Sequence, residues 1–364
     1  MAKQVRVGIV GTSWYADWMH LPALKSHPQV QLAAICGRNR DRAEEMAKKY
    51  EIPQVFTDYQ AMIEQAGLDA LIVALPDDLH YPVTMAALDA GLHVLCEKPL
   101  AFTLEQAQQM VARAEQAGVK HMTYFTWRWL PAFQYLQRLI QEGYLGRCFY
   151  SQFRFVGGYG RKGQYQWKWD RQHGLGILGD LGVHMIDLAH WCLGDIAKVS
   201  AHLPTYIARP GVAGQPLDPA NDAALLSLQY ADGSQGVIQV SAVAHLGKRS
   251  IECQIVLYGD AGTLEVDFNF NDGYVIRGAR SGEDQIKQLA IPDDILNGVD
   301  PISPFFEQFE QIFTGQSVGT RLFIEAIVND QPVSPSFYDG LKAQAVIEAA
   351  IEADRRECWV SVEH

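Results

Sequence analysis

The first 125 residues alternate short apolar strands with helices, and few architectures accept that pattern. Val5–Val10 reads as a buried strand, broken by Gly11-Thr12-Ser13. Tyr15–His27 follows with helical character, and Pro22 is placed to kink it or to end its first segment. Further strands read over Val30–Cys36, Ala70–Ala74, His93–Cys96 and Val119–Phe125, with helices over Asp41–Tyr50, Tyr81–Ala90 and Leu104–Ala117. Continuous apolar strands linked by helices form a parallel sheet covered on both faces. Residues 1–125 are therefore expected to be a doubly wound, Rossmann-type α/β domain.

The texture changes after Pro131. A helix over Pro131–Glu142 leads to a β-like run at Cys148–Phe155 and a Gly- and aromatic-rich stretch, Gly157–His173. A helix is expected to begin near Asp180 and to stop at Gly194. Strands over Ala223–Tyr230, Gln235–Val243, Ile251–Tyr258 and Leu264–Phe268 read as consecutive antiparallel hairpins, with turn signals at Ala231-Asp232-Gly233 and Gly259-Asp260-Ala261-Gly262. Pro301–Asp330 and Pro335–Arg355 read as closing helices. Residues 126–364 are expected to be an α+β domain on a large open, mainly antiparallel sheet. Its C-terminal helices have the option of packing back on the first domain.

Composition narrows the function classes. A chain of 364 residues suits about two domains, and 48% apolar with 20% charged residues gives each a core. Met1–Lys3 lead straight into a strand, so no leader is expected, and no apolar run reaches the roughly 18–20 residues of a membrane span. The six cysteines are scattered singly, without zinc or redox spacing, which points to buried free thiols and a cytoplasmic protein. A net charge of −12 argues against a nucleic-acid surface and mildly against a strongly anionic substrate.

The loop Gly8-Ile9-Val10-Gly11-Thr12-Ser13-Trp14-Tyr15-Ala16 approximates a dinucleotide fingerprint, with Gly11 and Ala16 at its first and third positions and Ser13 in place of the middle glycine. Phosphate binding then falls to the Ser13 hydroxyl and to the Trp14 and Tyr15 amides that open the helix. At the end of the second strand, Gly37 stands where an NAD site wants a carboxylate, and Arg38 and Arg40 follow. A guanidinium there suits a 2′-phosphate, so NADP(H) is expected to be preferred, with NAD(H) possible. In the competing reading these arginines only decorate a helix start.

Leu75-Pro76-Asp77-Asp78-Leu79-His80, followed by Ala90-Gly91-Leu92-His93-Val94-Leu95-Cys96-Glu97-Lys98-Pro99, resembles the Gfo/Idh/MocA oxidoreductases, a family that includes glucose–fructose oxidoreductase and inositol dehydrogenase. Trp167-Lys168, Gly174-Leu175-Gly176 and Asp180-Leu181-Gly182-Val183-His184 resemble its second signature. The resemblance implies Lys98, Asp180 and His184 as the catalytic set. To the loop residues Gly11, Thr12, Ser13, Trp14 and Tyr15 and to Gly37 and Arg38 it adds Leu75, Pro76, His80, Glu97 and Lys98 as the cofactor site, and it implies the second domain's sheet as the contact of a homodimer or homotetramer. Elementary chemistry agrees. Oxidising a carbinol carbon needs a group that takes the hydroxyl proton. Asp180 and His184, at i and i+4, share one helix face, with His184 the proton carrier near neutral pH. Lys98 ends a strand at the carboxyl edge of the sheet, where ligands bind in this fold, and whether its bond to Pro99 is cis stays open.

The bland readings are a surface lysine at Lys98 and a helix N-cap at Asp180. A metal site on Asp180, His184, Asp187 and His190 is not expected, because the H-E-x-x-H spacing is absent; Asp187 and His190 read as structural. Trp127, Arg128, Tyr165 and Trp167, together with Asp180 and His184, are the substrate candidates, since aromatic faces beside hydrogen-bonding groups suit a sugar or polyol ring. Trp14 either covers the nicotinamide or packs the loop. The expected function is NADP(H)-dependent hydride transfer on a sugar, anhydrosugar or cyclitol. Two alternatives stand beside it: a nicotinamide-dependent glycoside hydrolase without net redox change, and a non-catalytic nucleotide sensor.

Overall fold

The first strand, β1 (Val5–Val10), breaks at Gly11 and continues into a helix whose opening turns are wide. A π turn over Ala16–His20 runs into α1 (Leu21–Lys25). Then follow β2 (Val30–Cys36), α2 (Arg40–Tyr50), β3 (Gln54–Phe56), α3 (Tyr59–Gln65), β4 (Ala70–Val73), α4 (Asp77–Asp89), β5 (His93–Cys96), α5 (Leu104–Ala117) and β6 (His121–Thr123). The sheet order is β3-β2-β1-β4-β5-β6, with every pairing parallel. That is the doubly wound dinucleotide order, and its direction of winding reverses between β1 and β4. The computed structural model describes residues 4–301 and 303–363, without the side chain of Ala213. The expectations that touch Met1–Lys3 and Ile302 lie outside the described residues there.

Three local features have physical causes. The first helical segment ends at His20, just before Pro22: the turn there widens, with the Leu21 amide reaching the Ala16 carbonyl, and this relieves the clash of the proline ring with the carbonyl four residues back. α4 begins at Asp77 rather than Tyr81, because Pro82 costs one hydrogen bond while Asp77 and Asp78 favour the helix N-terminus. β3 and α3 were not anticipated, being too short for a periodic signal.

The second half contains α6 (Pro131–Gln141), β7 (Cys148–Gly157), α7 (Val183–Leu193) and β8 (Ile196–His202). It continues with β9 (Ala223–Tyr230), β10 (Gln235–Ser241), β11 (Ile251–Gly259), β12 (Gly262–Asn269), β13 (Gly273–Arg280) and β14 (Lys287–Gln288). Helices α8 (Asp293–Leu296), α9 (Phe305–Gly315), α10 (Gly319–Asn329) and α11 (Phe337–Arg356), then β15 (Val360–Ser361), complete the chain. The nine strands lie in the order β14-β13-β12-β11-β7-β10-β9-β8-β15. The sheet is mostly antiparallel, as expected, but β10 and β11 are not a hairpin. β7 lies between them, parallel to β10 and antiparallel to β11. The segment 242–250 that joins them is too long for a tight turn, so the two strands pair on opposite sides of β7. The long helix expected over Pro301–Asp330 is two helices, α9 and α10.

One face of this sheet is core. Leu226, Ile238, Phe153, Ile255, Val266 and Ile276 form a row across six strands, each at most 2% exposed. On the strands' other face Leu225 and Tyr258 are exposed. Contacts divide the chain into two compact units: residues up to Phe125 with Glu310–Leu341, and Thr126–Phe309 with Lys342 onward. Among the described residues no helix is long and apolar enough to cross a membrane, and all six cysteines are free.

Candidate active site

In the first unit the carboxyl ends of β1, β2, β4 and β5 carry the expected cofactor residues. Gly11 has φ +122°, and a Cβ there would lie 2.1 Å from the Ala74 carbonyl oxygen, so only glycine lets the loop after β1 pass the end of β4. A Cβ at Gly37 would meet the Thr12 side chain at 2.5 Å, so the loop after β2 closes on the same place. Ser13 accepts a hydrogen bond from the Ala16 amide at 3.2 Å and thereby caps the helix, while its O–H proton can donate elsewhere. A glycine cradle followed by first-turn amides fits a pyrophosphate. Arg38 is exposed, with no ion pair among the described residues, whereas Arg40 is paired with Glu44 at 2.8 Å. Trp14 is 69% exposed and stacks on Trp18, their centroids 5.8 Å apart.

Lys98 follows β5, and its bond to Pro99 is cis. Both of its neighbours are tied to buried histidines. Glu97 turns inward, its Oε1 2.9 Å from His20 Nε2, while the other nitrogen of that ring meets the Thr320 hydroxyl at 2.9 Å. The Tyr124 ring packs on His20 at 4.5 Å. On the other side, the Pro99 carbonyl lies 2.7 Å from His80 Nδ1, and His80 Nε2 lies 2.9 Å from the Leu75 carbonyl. Pro76 stands at the N-cap of α4. Glu97 and His80, both read as cofactor residues, thus have interior partners that local sequence could not reveal.

In the second unit Asp180 is not a helix cap. The helical path starts upstream, and a π turn over Leu178–Gly182 runs directly into α7. The cause is remote: Asn221 accepts from the Leu178 amide at 3.0 Å and donates to the Leu175 carbonyl at 3.1 Å, which caps the path from another segment. Four residues make nearly a full turn in either helix, so Asp180 and His184 remain close to one face. Asp180 Oδ2 accepts from Lys168 Nζ at 2.5 Å and from the Tyr159 hydroxyl at 2.8 Å. Two donors on one oxygen favour the ionised carboxylate. His184 is buried, with the Trp127 ring 5.9 Å from its own.

Tyr159 and Lys168 are functional candidates outside the substrate set, although both stand in the aromatic stretch Gly157–His173. Trp169 holds that stretch in place. It lies 6.1 Å from Tyr159 and under the Arg209 guanidinium at 4.5 Å, and Arg209 is itself bound to Asp222 at 3.0 Å. The other substrate candidates fare unequally. Trp127 is buried among Phe133, Phe155 and Phe268 and presents no open face for a ring to stack on. Arg128, expected to reach substrate, is committed to Asp187 through two bonds of 2.8 and 2.5 Å, because a desolvated carboxylate demands a charged partner. Trp167 is half-buried in a short 3-10 turn, and Tyr165 lines an open pocket of about 420 Å³ with Asp170 and His173. Among the described residues no three His, Cys, Asp or Glu side chains gather as a metal site.

Comparison with known proteins decides the family. Residues 5–125 match the model of the oxidoreductase family with an NAD-binding Rossmann fold, and residues 133–265 match that of the GFO/IDH/MocA C-terminal domain. The chain belongs to the GFO/IDH/MocA family. A family relative, the D-glucoside 3-dehydrogenase of Escherichia coli, is 31% identical over 69% of this chain and 74% of its own. The levoglucosan dehydrogenase of Pseudarthrobacter phenanthrenivorans is 27% identical over 90% of this chain and 88% of its own. A solved structure of levoglucosan dehydrogenase with NADH superposes with a TM-score of 0.87 at 25% identity, covering all of both chains. The scyllo-inositol 2-dehydrogenase (NADP(+)) of Bacillus subtilis is 28% identical over 79% of this chain and 83% of its own. As a GFO/IDH/MocA protein this chain is an NAD(P)-dependent oxidoreductase.

Proposed function

We propose that this enzyme transfers hydride to or from a CH–OH carbon of a sugar, anhydrosugar or cyclitol, with NADP(H) preferred. The observation that carries the reading is the Asp180 cluster: a carboxylate bound by Lys168 and Tyr159, with His184 one turn further along the helix. When bound, the nicotinamide gives or accepts the hydride. The substrate hydroxyl proton passes to His184, while Asp180 orients the hydroxyl. Lys98 stabilises the developing charge on the oxygen. Relatives named as dehydrogenases of levoglucosan, D-glucosides and scyllo-inositol support a polyhydroxylated ring.

The cofactor preference rests on Arg38, exposed and without an ion pair among the described residues, which follows Gly37 at the position where an NAD site wants a carboxylate. Residues 1–125 hold the dinucleotide, and 126–364 supply the substrate site and, through the outward face of the nine-stranded sheet, a homodimer or homotetramer contact. The exposed Leu225 and Tyr258 on that face support the contact. Nicotinamide absorbance followed over a panel of monosaccharides, anhydrosugars and inositols, in both directions and with both cofactors, tests the reading. Turnover of a ring polyol with NADPH or NADP is expected; a panel without any turnover, or a clear preference for NAD(H), overturns the corresponding part.

A further inference from the structure

His80 is completely buried in the first turn of α4. Its two ring nitrogens face backbone carbonyl oxygens, Pro99 at 2.7 Å and Leu75 at 2.9 Å. A carbonyl oxygen only accepts, so each nitrogen must donate. A neutral imidazole donates from one nitrogen and would set the lone pair of the other against an oxygen less than 3 Å away. The imidazolium is the protonation state that donates to both carbonyls, and the ring's hydrogen bond with Cys96 adds to these two contacts. We propose that His80 is a permanently charged clamp that joins the turn after β4 to the Lys98–Pro99 turn, and so acts as a positioning residue for Lys98.

The surroundings bear on the charge. Burial and the N-terminus of α4 disfavour it. A hydrogen bond with Cys96 of β5, the Asp77 carboxylate one turn earlier on α4 itself, and the Pro99 carbonyl oppose that penalty. The clamp is one of two. His20 holds Glu97 from the wide turn that follows the dinucleotide loop, so the residues before and after Lys98 are each anchored by a buried histidine. His80 alone faces acceptors on both nitrogens that cannot reverse role; the Thr320 hydroxyl beside His20 can either give or take a proton. A fixed cation bonded one residue from Lys98 also disfavours a second positive charge there, so without it Lys98 should hold its proton to higher pH.

The inference about Lys98 rests on its proposed catalytic role, but the charge on His80 does not. Histidine-selective ¹⁵N labelling, with His80 assigned by comparison with His80→Gln, is expected to show protons on both ring nitrogens at pH 8. A single protonated nitrogen overturns the proposal in the wild-type protein, whether or not the variant folds. In the folded variant kcat should fall at least tenfold with little change in NADP(H) affinity. The pKa that controls kcat/KM on its alkaline side, where Lys98 gives up its proton, should rise by about half a pH unit or more, as expected on removing a nearby cation. A lowered melting temperature with an unchanged pH profile would reduce His80 to a structural residue and overturn the positioning role. Wild-type turnover in Lys98→Met would instead defeat the role of Lys98 and leave the doubly protonated ring standing.

Discussion

His20 and Glu97 meet in the interior with Nε2 2.9 Å from Oε1, although 77 residues separate them in sequence. The contact ties the turn after the dinucleotide loop to the residue before Lys98. Glu97→Ala leaves the buried ring without its acceptor and should lower unfolding free energy by about 1.5–3 kcal/mol, the worth of a hydrogen bond to a charged group. Glu97→Gln, which keeps an acceptor oxygen, should lose less. Equal losses in urea denaturation would mean that the carboxylate charge, and not the hydrogen bond, is what matters.

On the proposed mechanism Lys98 and His184 both act on the substrate oxygen and its proton, so their substitutions should share one signature. Lys98→Met and His184→Ala should each lower kcat by about a hundredfold to ten-thousandfold, the range for loss of a positioned proton-transfer group. NADP(H) binding, read by quenching of protein fluorescence, should survive in both. Near-normal turnover in either variant refutes the role given to that residue.

Arg38 and Arg40, separated by Asn39, have different fates, because Arg40 is paired with Glu44 at 2.8 Å. Arg38→Ala should weaken NADP(H) binding by about ten- to hundredfold, as expected for one charge-assisted contact to a phosphate. NAD(H) binding should barely change. Arg40→Ala should affect both cofactors little. Equal effects of Arg38→Ala on the two cofactors would remove the basis for NADP(H) preference.

Much of the architecture was legible because its signals are local. α5 reads correctly from Leu104 to Ala117, since Thr103 caps the Gln106 amide and Gly118 closes the helix in the left-handed region. β9 reads correctly from Ala223 to Tyr230 because buried and accessible residues alternate. What stayed hidden depends on distant residues. The wide turn at Asp180 needs Asn221, and the parallel pairing of β10 with β7 joins strands about 80 residues apart, beyond any periodic pattern. The site shows the same division: Lys98, Asp180 and His184 stand in recognisable motifs, whereas the partners of Asp180 and the commitment of Arg128 to Asp187 exist only in the fold.

The buried charge on His80 also sets a pH dependence. Burial disfavours the charged ring, but the Cys96 thiol, the Asp77 carboxylate and the Pro99 carbonyl push its pKa up to about 10 from 6.5. A group whose pKa is higher when folded stabilises most while it is protonated in both states. The stability difference between wild type and His80→Gln should therefore be greatest below pH 6.5 and shrink progressively as pH rises toward about 10. Denaturation midpoints measured across that range test this. A difference that does not vary with pH would mean the ring does not titrate with folding.

Arg128 and Asp187 supply the sharpest stability test. Both side chains are nearly inaccessible, 6% and 2% exposed, and the guanidinium lies 5.6 Å from the Trp191 ring centroid. Asp187→Ala strands a buried guanidinium beside an aromatic ring and should cost about 3–5 kcal/mol, the penalty for removing one partner of a buried pair. Arg128→Met with Asp187→Leu removes both charges and restores apolar volume, so the double variant should be more stable than either single one. If Arg128 instead contacted substrate, the double variant would lose substrate affinity along with its charge pair. A folded double variant with an unchanged KM confirms that this arginine holds α7 in place and leaves binding to the Asp180 cluster.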